Sequence, residues 1–144
     1  MNFFKKIINL FGYEIKKVIP IKSIDGFELY SYKNADGTFD YEGYKEIQII
    51  GNKEKINNVW VIEENIRFLS NYLSNLISVV KFGLCHGTRL GKEQEWFRKY
   101  LKCIVIGTEI SDNATHFPNT IEWDFHKVKS EWIDSVDFIY SNSF

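Results

Sequence analysis

Two cysteines in 144 residues are too few for a disulfide-stapled scaffold. No stretch reaches the ~18–20 consecutive apolar residues that a membrane span needs. The N-terminus lacks the pattern of an export signal: Lys5-Lys6 is followed only by a short mixed run from Ile7 to Tyr13, with Asn9 inside it. Thiols without an export signal point to a reducing, cytoplasmic location. Eighteen basic residues against nineteen acidic ones leave a net charge of −1, so no global field draws the chain to nucleic acid. The dinucleotide pattern G-x-G-x-x-G is absent, as are a phosphate-loop lysine followed by Ser or Thr and any CxxC or HxxxH metal spacing. Internal repeats and low-complexity tracts are missing too.

What is present is apolar and aromatic. With 44% apolar residues and 12 Phe, 8 Tyr and 4 Trp, the chain has enough to bury for one core, which excludes disorder. The charge is uneven. Five lysines against Glu14 give residues 1–22 a net +4, leaving −5 in the rest. Phe3, Phe4, Ile7, Ile8, Phe11 and Ile15 fall at helical spacing, with Lys5, Lys6, Lys16 and Lys17 off the stripe. Residues 3–17 are therefore expected to rest on the anionic inner face of a membrane, or to dock on the protein's own domain or a second copy.

Asp25-Gly26 and Asn34-Ala35-Asp36-Gly37 are turn signals around a short strand or hairpin from Phe27 to Tyr32. Asp40 is a candidate N-cap for a helix carrying Tyr41, Tyr44, Ile47 and Ile50, to about Ile56. Ile62, Ile66, Leu69, Leu73 and Leu76 predict a helix from Glu63 to Ile77. The pattern then changes. Apolar runs at Val79–Leu84, Cys103–Thr108, Thr120–Trp123 and Val136–Ser141 read as strands, and Gly91–Leu101 reads as a helix between the first two. Short apolar strands joined through a helix imply an α/β fold with a mostly parallel sheet. Residues 1–78 are expected to form a helical N-terminal region and 79–144 a ligand-binding α/β half-domain.

The informative block runs from Gly83 through Leu84, Cys85, His86, Gly87, Thr88, Arg89 and Leu90 to Gly91, between a strand and a helix. Glycines there let backbone approach a ligand, at the end of a helix whose N–H groups point outward. Glu109 closes the second strand 22 residues after Gly87, an offset at which an acid can accept from ribose hydroxyls. Asp124 closes the third, placed to accept from an adenine amino group. A glycine loop and two acids thus arrive at one sheet edge, where open α/β sheets bind ligands.

These segments resemble class I S-adenosylmethionine-dependent methyltransferases, nearest to those of bacterial sugar and cell-surface loci. The resemblance lies in Phe82–Arg89, Val105–Ser111, Asn119–Phe125 and Val136–Asn142. It implies a Rossmann-like sheet and S-adenosylmethionine as cofactor. By that resemblance Gly83, Cys85, His86 and Gly87 would lie around the methionine part, and Glu109 would hold the ribose. Asp124 and Phe125 would flank the adenine, with Asn142 beside the methyl-donor pocket. Lys81 and the Cys85-His86 pair stand where the family's first motif carries an acid and alternating glycines. No Asn-Pro-Pro-Tyr signature follows the fourth strand, which argues against base methylation and favours a small acceptor such as a surface-polymer saccharide. Family members continue for three more strands. This chain is accordingly expected to be a fragment, or to be completed by a partner, with the fourth strand an exposed edge prone to self-association.

Other side chains carry two readings each. His86 is a candidate general base or a loop histidine bonded to backbone. Arg89 suits a cofactor carboxylate or an anionic acceptor, or is simply solvated. His116 and His126 are expected in solvent, and Trp96, Trp123 and Trp132 in packing. Cys85 and His86 are adjacent and make no metal site. Ser111, Asp112 and His116 lack a nucleophile-elbow pattern. Two further functions compete with methyl transfer: an inactive cofactor-binding or structural module, and a nicotinamide-dependent oxidoreductase, since an acid after the second strand also suits NAD.

Overall fold

The structure, a computed structural model, describes residues 22–29, 31–112 and 116–142. The stripe at residues 3–17 lies outside them. The chain divides into two compact units, Met1–Gly43 and Tyr44–Phe144.

In the first unit, Asp25 and Gly26 both take left-handed backbone, φ +50° and +83°. That is the geometry of a tight two-residue hairpin turn whose twist matches its strands. It joins β1 (Lys22–Ile24) to β2 (Phe27–Leu29), antiparallel, with Ile24 opposite Phe27. The second turn is closed by Asp36, whose Oδ1 accepts from the Thr38 N–H at 2.9 Å and the Thr38 hydroxyl at 2.6 Å. Asp40 then caps α1 (Tyr41–Glu54), its Oδ1 accepting the Gly43 N–H at 2.9 Å.

The second unit holds most of α1, all of α2 (Glu63–Leu76) and the sheet. The sheet comprises β3 (Phe82–His86), β4 (Ile104–Glu109), β5 (Thr120–Glu122) and β6 (Phe138–Ser141) in the order β5-β4-β3-β6, every pair parallel. Helix α3 (Lys92–Leu101) makes the β3-to-β4 crossover. The chain from Trp123 to Val136 runs along the opposite face, against Leu84, His86 and Ile139. Both β5 and β6 are edge strands.

Strand β3 begins and ends later than the apolar run suggests. Val79 is 62% exposed, whereas Cys85 and His86 lie in the ladder opposite Gly107 and Thr108 of β4 and Tyr140 and Ser141 of β6. The two residues expected in the loop are thus strand residues, because partners on both sides complete their backbone hydrogen bonds. Asp137 sets the start: its Oδ2 accepts the Lys81 and Phe82 N–H groups at 2.6 and 2.9 Å, which holds its carboxyl below the usual carboxylate range.

Alternation sends Gly83 and Cys85 toward the helices, where Ile66, Phe97, Val105 and Phe138 complete the core. Phe97 meets the rings of Phe138 and Tyr140 at 4.9 and 5.4 Å. Only the middle of the α2 stripe is covered. Ile66 is buried, while Ile62 and Leu76 at its ends are exposed. The start of α2 is tied to α3 through Glu63, which accepts from Lys99 at 2.6 Å and from the Tyr100 hydroxyl at 2.8 Å. Among the described residues, no helix is long and apolar enough to cross a membrane.

Candidate functional site

Four parallel strands end at one edge of the sheet, and the loop after β3 turns there. Gly87, at φ +71°, occupies left-handed backbone that a glycine takes without strain, and its N–H donates to the Thr108 carbonyl at 2.8 Å. Arg89, also at positive φ, donates its backbone N–H to Glu109 Oε2 at 3.3 Å. Its guanidinium donates to the Lys55 carbonyl at 3.1 Å and lies 5.6 Å from the centroid of the Trp60 ring.

Glu109 is the last residue of β4 and only 2% exposed. A buried carboxylate needs partners, and it has three. Besides Arg89, the Ile110 N–H donates to Oε1 at 2.8 Å and the Asn52 side-chain amide donates to the same oxygen at 2.7 Å. Asn52 comes from α1, and neither it nor Gln48 carries a sequence signal for a site; with Tyr44, which marks the helix, they recur at four-residue intervals. These three residues, with Gly87, Arg89, Glu109, Ile110, Phe125 and His126, line one cleft.

A second cleft lies against the same loop. Gly87 and Arg89 line it as well, together with Thr88, Glu93, Trp60 and Asn142. Burial pushes the Glu93 carboxyl up from its ordinary value, although Arg89 counteracts this. The buried Thr88 hydroxyl has no hydrogen-bond partner. That hydroxyl is packed over Gly107 and does not reach the cleft. Arg89 and Glu93, a cation and an acid lining one cleft, are groups suited to a zwitterion.

The sequence-predicted residues divide among these places. Gly87, Glu109 and Phe125 share the first cleft, and Asn142 lies in the second. Gly83 and Cys85 line neither. A Cβ on Gly83 would collide with the Phe138 ring, and Cys85 is fully buried, its thiol pushed up by burial and by the nearby Glu93 charge. Asp124 lines neither as well. Strand β5 ends at Glu122, before Asp124, and Asp124 Oδ1 accepts the His126 N–H at 3.1 Å within its own turn, 3.1 Å from His126 Nδ1.

His86 points to the face opposite α3. Its Nδ1 lies 2.7 Å from the Thr108 hydroxyl, its ring stacks on Phe125 at 5.1 Å, and burial lowers its pKa. It lines the groove formed with Trp123 and Trp132, so it orients Phe125 from behind and lines neither cleft. Among the described residues, no three His, Cys, Asp or Glu side chains gather as metal ligands. Comparison with protein-family models, with curated proteins and with solved structures returns no match.

Proposed function

We propose that this chain binds S-adenosylmethionine across the Gly87–Arg89 loop and transfers its methyl group to a small acceptor, a saccharide by the family resemblance. One observation carries the reading: the two clefts that share Gly87 and Arg89 differ in chemistry. The first offers a carboxylate and an aromatic ring, the partners of a ribose and a base. The second offers Arg89 and Glu93, the partners of the carboxylate and the ammonium of an α-amino acid head. A nucleoside joined to an amino acid matches that pair.

The strand order supports a Rossmann-like reading, because β3 and β4 are central and the ligand-facing loops follow them. The bound cofactor would supply a sulfonium methyl for in-line displacement. The residues here contribute position: Glu109 fixes the sugar, Phe125 the base, and Arg89 with Glu93 the tail. Gly83 supports the site only from within the core. Thermal unfolding with added S-adenosylhomocysteine or NAD separates the competing cofactors. The proposal expects a raised midpoint with the former alone, and a rise with NAD only would favour an oxidoreductase.

A further inference from the structure

Helix α1 presents itself to the first cleft in an unusual orientation. Tyr44, Gln48 and Asn52 line the cleft, whereas Ile47 and Ile50 are 44% and 52% exposed. No residue of α1 is buried. Polar ties join it and the residue after it to the sheet edge: Asn52 to Glu109, Lys53 to Asp112 at 3.1 Å, and the Lys55 carbonyl to Arg89 at 3.1 Å. An exposed pair such as Lys53–Asp112 contributes little, and a helix with no fully buried residue is among the elements that open most readily.

The hydrogen-bond count at Glu109 is specific. A carboxylate offers about four lone-pair positions, two on each oxygen. Ile110 N–H and Asn52 Nδ2 fill both on Oε1, and Arg89 N–H takes one on Oε2. A vicinal diol that donates one hydrogen bond to each oxygen therefore finds room on Oε2 but none on Oε1. The Ile110 donor is the next residue's backbone and stays, so Asn52 is the partner that can leave.

We infer that Asn52 holds the place of a ligand hydroxyl on Glu109, so that α1 competes with the ribose of a nucleoside ligand and sets its affinity. This rests on the nucleoside reading of the cleft given above. Removing the Asn52 amide frees its position on Glu109 Oε1 and leaves the Ile110 and Arg89 donors and the Phe125 ring in place.

The test is calorimetric titration of S-adenosylhomocysteine into the full chain and into Asn52→Ala and Asn52→Leu, with circular dichroism to verify folding. Adenosine and 2′,3′-dideoxyadenosine serve as a paired control. Both variants are expected to bind S-adenosylhomocysteine roughly 5- to 30-fold more tightly, the size of one charge-assisted hydrogen bond to be displaced. The gain should appear with adenosine and vanish with the dideoxy compound. Unchanged or weaker binding by folded variants overturns the competition and leaves the nucleoside reading standing. A gain equal for both nucleosides also overturns it, since Asn52 would then act through the helix rather than through the hydroxyls. No binding by any folded form removes both inferences together.

Discussion

The ring of Phe138 lies directly over Gly83, its register partner across the β3–β6 ladder. Glycine is required there by the close approach of the ring. Gly83→Ala forces a methyl group into a packed core beneath a residue only 9% exposed. The expected cost is about 1–3 kcal/mol, typical of overpacking. Urea unfolding measures it, and a variant as stable as the wild type would contradict the packing described.

The half-buried imidazole of His86 gives stability a defined pH dependence. Burial lowers its folded pKa from the ordinary 6.5, so the unfolded chain binds the proton more readily. Its contribution is fully present above about 6.5 and is lost as pH falls from there toward the lowered folded value. Urea midpoints from pH 8 to 5 should fall more steeply for the wild type than for His86→Gln. Parallel curves would show that His86 is not held neutral by the fold.

Glu93 separates the two halves of the proposed ligand. Glu93→Gln removes the acid that would face the ammonium group of the proposed ligand and alters no residue lining the cleft at Glu109. S-adenosylhomocysteine should bind roughly tenfold more weakly, while adenosine binding stays unchanged. Isothermal titration of both compounds checks this, and an equal loss for both would mean that Glu93 acts on the fold.

Phe125 is an aromatic wall of the first cleft, its ring stacked on that of His86 at 5.1 Å. Phe125→Ala should weaken adenosine binding by about 1–2 kcal/mol, the scale of a ring contact with a base. An unaltered dissociation constant would place the base elsewhere.

Where each element forms was legible to different depths. The stripe around Ile66 and the first-turn acids marked α2, because a helix records its burial at fixed spacing. Glu109 was legible as the end of β4, because the apolar run of that strand stops at an acid. The register of β3 was not. Gly83 reads locally as the start of a loop, and only pairing with β4 and β6 on both sides extends the strand to His86. Asp124 was read as a strand-end acid, but its carboxylate turns back to its own loop. Helix α1 misled in a different way. Tyr41, Tyr44, Ile47 and Ile50 mark the helix, yet the line that faces the cleft is Tyr44, Gln48 and Asn52. A side chain that meets a partner 57 residues away leaves no mark in local spacing.

Titration of S-adenosylhomocysteine into the wild-type chain and into Glu109→Ala, followed by calorimetry, weighs the whole account. It predicts saturable one-site binding by the wild type, weakened roughly tenfold or more in the folded variant. No saturable binding by the wild type, or equal binding by both forms, would contradict it.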